Sequence, residues 1–305
     1  MKRANSEVLI EAVIRASAFT AIIGLFLIFV FIGKEALPIL TSAEVQKEAG
    51  LSKIFLPLDG RYSWQPVSEI PKYSIWPLFV GTLKVTFVAI LFAVPLALGA
   101  ALFTSEFSPN WLKELIKPVI ELLAGIPSVV LGFFALMVMA TWVQDAFGIA
   151  YRLNAINAGI ALGLAVLPIV YTMADDALNA VPRSFREASI AMGASSWQTA
   201  SRIVFPAALP GILAACVLGF GRAIGETMIV LMASGNAAIL SWDMAKPLRS
   251  MSATVAAELG EVVNGSPHYH LLFFLGVCLF LFTFVLNIFA QWFVARLQKR
   301  VLGTE

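Results

Sequence analysis

Arg222 and Glu226 stand four residues apart in a run otherwise free of charge from Ile203 to Trp242. On a helix that spacing puts both side chains on one face, within reach of each other. A guanidinium offers forked donors suited to an oxyanion, and a carboxylate beside it can hold the fork or control access to it. Thr227 adds a hydroxyl donor, though on a different face of such a helix. The competing reading is a buried ion pair that only fixes packing against a neighbouring subunit. Gly219, Gly221 and Gly225 keep bulk away from the pair, and Gly221-x-x-x-Gly225 is a spacing that permits close helix approach.

Other polar residues offer less chemistry. His268 and His270 form a His-x-His with no third ligand nearby, so they read as loop residues and no metal is expected. Asp175 and Asp176 read as the solvated end of a helix; Glu258 and Glu261, before the last apolar run, face either a substrate entrance or water. Cys216 and Cys278 lie inside apolar runs and behave as small hydrophobes. No Gly-x-x-x-x-Gly-Lys-[Ser/Thr] loop occurs, because Gly33-Lys34 lacks the upstream glycine and the following hydroxyl. The chain is therefore not expected to hydrolyse ATP. It also lacks the convergent acid, base, metal or nucleophile set that a membrane enzyme needs. No catalytic residue is assigned.

These residues must be carried by membrane elements. Of 305 residues, 59% are hydrophobic and 13% charged, and the mean hydropathy is +0.86. A soluble domain is about 45–50% apolar and about 25% charged, so that class is excluded. The net charge of +2 gives no reason to expect a nucleic-acid partner. Six windows carry no charge: 16–33, 85–105, 122–144, 153–174, 203–221 and 271–295. A span needs about 20 apolar residues, so six transmembrane helices and an all-α integral membrane protein are expected. Gly235-Asn236 is expected to end the fifth helix, with 237–250 as a loop or partly inserted turn. Arg222 then lies about 20 Å beyond Leu209, near mid-membrane, where a guanidinium costs between about 2.5 and 17 kcal/mol unless it has a partner or a water-filled cavity.

Basic residues orient the chain. One side takes Lys2, Arg3, Arg15, Lys113, Lys117, Arg183, Arg186, Arg202, Arg296, Lys299 and Arg300, clustered near helix ends. The other takes Lys34, Lys47, Lys53, Arg61, Lys72, Lys84, Arg152, Lys246 and Arg249, mostly scattered through one long loop among acids. Both termini are expected in the cytoplasm, in a multi-pass protein of the cytoplasmic membrane. The first apolar run ends in Gly33-Lys34-Glu35 with no small-x-small cleavage pattern, so a retained helix is expected. In the 34–77 loop Pro57, Pro66, Pro71 and Pro77 favour extended structure or turns over helix. Trp64, Tyr73 and Trp76 suit an interfacial belt or a binding face equally. The phenylalanine-rich last helix is expected to face lipid.

Between the fourth and fifth windows, residues 183–206 carry a pattern. Phe185, Ala188, Ser189 and Met192 share one helical face with Arg183, Arg186 and Glu187 beside it. Gly193 permits a tight turn, Ser195 or Ser196 can cap a second helix from Trp197, and Pro206 and Pro210 interrupt the backbone where the fifth span begins. A helix–turn–helix along the cytoplasmic face is expected, offering a short ridge to a partner.

Glu187-Ala188-Ser189, Gly193 and Ile203-Val204-Phe205-Pro206 resemble, at matching spacing, the Glu-Ala-Ala … Gly … Ile-x-Leu-Pro motif of ABC importer permeases. Ser189 and Phe205 depart from it mildly. The resemblance implies a type I importer permease whose ridge, Glu187, Ala188, Gly193, Ile203 and Pro206 within it, is a coupling helix docking into an ATPase subunit. Glu121-Leu122-Leu123-Ala124-Gly125-Ile126-Pro127-Ser128, Gly219-Phe220-Gly221-Arg222-Ala223-Ile224-Gly225-Glu226-Thr227-Met228 and Ser252-Ala253-Thr254-Val255-Ala256-Ala257-Glu258 are similar to stretches of phosphate-specific importer permeases of the PstC type. Met228 and Gly235-Asn236 favour that type over its partner permease. The division implied is 1–33 for the tail and first helix, 34–77 for an extracytoplasmic loop, 78–296 for a five-helix core and 297–305 for a cytoplasmic tail. Implied partners are a paired homologous permease, a dimer of ATP-binding subunits holding ATP and Mg, a soluble phosphate-binding protein and the bilayer. No cofactor is expected on this chain. Arg222, Glu226 and Thr227 would line the path of the phosphate. A different oxyanion cargo, or a membrane scaffold or sensor docking a regulator through the ridge, are the competing functions.

Overall fold

The computed structural model describes residues 2–58 and 60–302, with side chains for 10–58 and 60–296; the 297–305 tail expected above lies outside those side chains. Among the described residues, six helices are long and apolar enough to cross a membrane: Ile10–Thr41, Trp76–Phe107, Ser128–Phe147, Ala155–Asn179, Ser196–Gly225 and Pro267–Arg296.

Helix α1 (Lys2–Ala36) leads into three short helices, α2 (Pro38–Thr41), α3 (Ala43–Ala49) and α4 (Leu51–Phe55). The expectation of a non-helical 34–77 loop is thus corrected for its first half. Pro57, Pro66 and Pro71 all fall after α4, and Pro38 sits in a first turn, where its missing N–H has no intrahelical partner to lose. The second half holds a two-stranded antiparallel ribbon, β1 (Trp64–Gln65) and β2 (Lys72–Tyr73), with Trp64 opposite Tyr73. Ile39, Val45, Ile54, Trp64 and Tyr73 bury themselves against Leu271, Leu272 and Leu275, so this subdomain sits on one end of the last helix.

Helix α5 (Trp76–Leu102) ends in a π turn at Phe103–Phe107, followed by α6 (Asn110–Ala124). The third span starts later than the charge-free window implied. Gly125-Ile126-Pro127 separates α6 from α7 (Ser128–Phe134), which continues through a π turn at Ala135–Met139 into α8 (Ala140–Phe147). Pro127 at the N-cap explains the restart, since proline disfavours helix in the residue before it.

Helix α9 (Ala155–Asn179) forms the centre of the bundle. Ala89, Ala93, Ala97 and Ala101 of α5, each four residues from the next, are fully buried in the same core cluster as Ala158, Ala161, Leu162, Ala165 and Val166 of α9. Small side chains let backbones approach closely, and in lipid that contact replaces the hydrophobic drive. Next come α10 (Arg183–Ala191), α11 (Ser196–Thr199), a π turn at Ala200–Val204 and α12 (Phe205–Gly225). Pro206 falls in the first turn of α12, where the fifth span was expected to begin, and the α-helical ladder is interrupted just before it, whereas Pro210 lies inside α12 without ending it. The π turn just before Pro206 leaves room for the ring, and the helix runs on.

The fifth helix also ends earlier than expected. It stops at Gly225, Glu226 adopts extended ψ of 133°, and α13 (Met228–Ala233) resumes after two residues. Gly235 (φ 79°) and Asn236 (φ 46°) terminate α13 rather than one long helix. The chain then folds back through 237–250 to α14 (Met251–Glu258) before α15 (Pro267–Leu302).

Candidate functional site

Arg222 lies in the last turn of α12, where a cation is favoured by the helix dipole. Its Nη2 is 3.8 Å from Glu226 Oε2, and the Arg222 side chain is 46% exposed while that of Glu226 is 7% exposed. The carboxylate is thus sequestered and the guanidinium keeps open donors. The sequence expected both residues on one helix face. They do meet, but Glu226 is the residue at which the helix unwinds, and its freed carbonyl accepts a hydrogen bond from Ser252 Oγ at 2.8 Å. Irregular backbone at membrane depth survives only where protein or a water-filled cavity covers it, and Ser252 of α14 supplies that cover. Thr227 sits in the same break. Its Oγ1 donates to the Gly225 carbonyl at 3.3 Å, and it lines an open groove with Ser252, Ala256 and Gly276.

The depth of the break follows from its neighbours. A Cβ on Gly219 would come within 2.6 Å of Val170 and 3.0 Å of Val166, in the middle of α9. At the other limit, Asn157 Nδ2, near the start of α9, donates to the Ala233 carbonyl at 2.9 Å. Arg222 and Glu226 therefore lie between the middle of the bundle and its ribbon end. The close approach falls on Gly219. Among the described residues a Cβ on Gly225 would meet nothing within 4 Å and one on Gly221 only the Asn287 amide oxygen at 3.8 Å, so the Gly221-x-x-x-Gly225 spacing packs no described helix of this chain.

At the opposite end α10 and α11 form the ridge. Gly193 adopts φ 84°, a left-handed turn that a side chain would strain. Ser195, and not Ser196, is the N-cap of α11, and it forms a capping box with Gln198. Ser189, where the motif has alanine, bonds Thr199 Oγ1 at 2.9 Å across the turn. Glu187, Ala188, Gly193, Ile203 and Pro206 are all exposed. So are the large apolar side chains Phe185, Ile190, Trp197 and Met192, the last at 88%. These side chains form an exposed apolar row on the ridge.

Two ion pairs that no local signal announced anchor the ridge end. Arg186 of α10 bonds Glu106 in the π turn after α5 at 2.7 Å, and gives two further bonds to the Val181 and Leu178 carbonyls at the end of α9. Asp175, expected to be solvated, is buried and pairs with Lys117 of α6 at 2.7 Å. That hydrogen bond, outweighing partial burial, raises the pKa of Lys117. At the ribbon end, Glu258 gathers Trp64 Nε1 (3.0 Å), Arg249 Nη1 (2.5 Å) and His268 Nε2 (3.0 Å). His268 is therefore no plain loop residue. His270 diverges from it, with Nδ1 2.8 Å from the Glu35 carbonyl. Trp64 and Tyr73 are buried, so neither is part of a lipid belt or an open binding face. Burial, and then the Glu48 carboxylate, push the Tyr73 phenol up.

Residues 93–303 match the family model for binding-protein-dependent transport system inner membrane components. A probable ABC transporter permease, YqgH of Bacillus subtilis (strain 168), is 33% identical over 234 residues, covering 77% of this chain and 76% of its own length. The phosphate transport system permease protein PstC of Mesorhizobium japonicum is 32% identical over 257 residues, 78% of each chain. PstC 1 of Mycobacterium tuberculosis is 32% identical over 252 residues, 75% of each. Among solved structures, a chain of a bacterial ABC transporter involved in alginate import superposes with a TM-score of 0.65 at 15% identity, covering 96% of this chain and 99% of that one. A chain of the MetNI methionine ABC transporter gives 0.59 at 19% identity, covering 73% and 97%. These two share the fold, that of ABC importer permeases. With six membrane-length helices, the exposed ridge and a family match over most of its length, the chain belongs to the inner-membrane components of binding-protein-dependent transport systems.

Proposed function

We propose that the chain is the permease subunit of an ATP-driven importer that carries inorganic phosphate across the cytoplasmic membrane. The observation that carries this reading is Arg222, a half-open guanidinium at a break in a membrane helix with its counter-carboxylate sequestered beside it. Ionisable residues at membrane depth mark pathways, and forked donors suit a tetrahedral oxyanion. Relatives named as phosphate transport permeases favour phosphate over other oxyanions. Thr227 lies in the same break and lines an open groove there with Ser252, which places it along the proposed path, while both hydroxyls donate to carbonyls of the break.

This chain binds no cofactor in the proposed cycle. A dimer of ATP-binding subunits, holding ATP and Mg, docks on the ridge through Glu187, Ala188, Gly193, Ile203 and Pro206. A paired homologous permease completes the path, and a soluble phosphate-binding protein delivers cargo at the ribbon end. Both termini lie in the cytoplasm. ATP-driven closure of the ATPases moves α10, and Arg186 passes that movement to α5 and α9 through Glu106 and the Leu178 and Val181 carbonyls.

The test is ATP-dependent uptake of radiolabelled phosphate into vesicles containing the assembled complex, with unlabelled sulfate and molybdate as competitors and labelled sulfate and molybdate as cargoes in parallel. Uptake resistant to both competitors is the expected result. An intact complex that takes up sulfate or molybdate but no phosphate contradicts the cargo, and an intact complex that moves no oxyanion contradicts the transport reading.

A further inference from the structure

Glu258 is the last residue of α14, and three separate segments converge on its carboxylate. Trp64 comes from the ribbon, Arg249 from the fold-back loop and His268 from the first turn of α15. Its side chain is only 15% exposed, so the charge depends on those donors. Arg249 is held in turn, its Nε donating to Asn236 Oδ1 at 2.9 Å in the turn that ends α13. A second link joins the same loop to the ribbon, where Ser63 bridges Ile239. Six residues earlier on α14, about 9 Å along a rigid helix, Ser252 holds the Glu226 carbonyl at the break. Ser250 caps α14 and Met251 to Thr254 are buried, so the helix moves as one piece.

We propose that Glu258 is a positioning residue that couples the extramembrane subdomain to the helix break. Glu258 is the polar link between the ribbon and α14, beside the apolar cluster in which Met251 and Val255 of α14 pack with Trp64 and Tyr73, and α14 fixes the backbone at which Arg222 and Glu226 meet. A partner seated on the ribbon shifts Trp64, and α14 carries the shift to Glu226, changing access to Arg222. The inference rests on the transport reading above, with the binding protein as the partner that presses on the ribbon.

The experiment uses the complete complex in proteoliposomes. ATPase activity without the binding protein, its stimulation by the phosphate-loaded binding protein, and phosphate uptake are each measured for the natural chain, Glu258→Gln, Trp64→Phe and the exposed control Glu261→Gln. The geometry predicts that Glu258→Gln keeps basal ATPase but loses stimulation and uptake by roughly tenfold, within the usual range of coupling between sites. Trp64→Phe, which removes only the indole N–H, shifts the same two readouts in the same direction and leaves basal activity alone. Glu261→Gln changes nothing. Full stimulation in an assembled Glu258→Gln complex overturns the proposal. If Glu258→Gln fails to assemble, Trp64→Phe decides, and unchanged stimulation in it overturns the proposal equally. A natural complex that is stimulated but carries no phosphate contradicts the cargo alone. Phosphate uptake that survives in Glu258→Gln contradicts the coupling alone.

Discussion

At the scale of single residues, the decisive feature is the inequality between Arg222 and Glu226. Their exposures are 46% and 7%, although they are 3.8 Å apart. Within this chain Glu226 is covered and the Arg222 donors stay open, so they face either an anion or the paired permease of the proposed complex, and the Arg222→Gln measurement below separates the two. The pair was legible because charge is so rare in a chain with 13% charged residues. The bonds made by Ser252 and Glu258, residues the sequence marked only by resemblance and by position, were not legible, since their partners are 26 and up to 194 residues away in sequence. Gly219 offers a clean test of the packing. Gly219→Val drives branched carbons into Val166 and Val170, and overpacking of this kind costs about 1–3 kcal/mol. A lower melting temperature of the purified chain is expected, and an unchanged one would mean that α12 does not press on α9 at that point.

At the scale of elements, the ridge is a rigid presentation of an open face. Its apolar pattern, its turn and its second cap could all be read locally, because each depends on neighbours within a few residues. The break at Glu226-Thr227 could not: apolar sequence resumes at once on its far side, and the hydroxyls of Thr227 and of Ser252, the latter brought by α14, take up the Gly225 and Glu226 carbonyls there. The helical first half of the 34–77 segment was missed because its prolines drew attention, although Pro57, Pro66, Pro71 and Pro77 all lie after α4. Gly193→Val forces a branched residue into φ 84°, a left-handed conformation costing about 1–2 kcal/mol, in open space where nothing else clashes. Capture of the ATPase by the permease should weaken with the fold of the membrane helices intact. Ser195→Ala removes the cap of α11 at a cost of about 1 kcal/mol and should weaken capture less. Equal capture by the natural chain and Gly193→Val would remove the turn from the docking surface.

At the scale of the whole molecule, the bundle links an unpartnered ridge at one end to a helix break nearer the other. The mechanical path runs from α10 through Arg186 into the ends of α5 and α9, and α9 packs on α12 at Gly219, one turn before Arg222. Arg186→Gln removes the bidentate grip on Glu106 and leaves that carboxylate without its strongest partner. ATPase capture should survive, while transport per ATP hydrolysed falls several-fold, a loss in the usual range for coupling between sites. Equal transport per ATP in both complexes would remove Arg186 from the path. The six spans were legible from composition, since bilayer thickness dictates their length. Which ends are tied together was not, because Glu106 and Arg186 lie 80 residues apart.

The most direct measurement compares ATP-dependent phosphate uptake by the natural complex with that of Arg222→Gln, with assembly verified in both. Glutamine keeps most of the bulk and some hydrogen bonding but removes the charge. An assembled Arg222→Gln complex that hydrolyses ATP and takes up no phosphate is the predicted result. Undiminished uptake in that complex would contradict it and leave Arg222 as a packing residue.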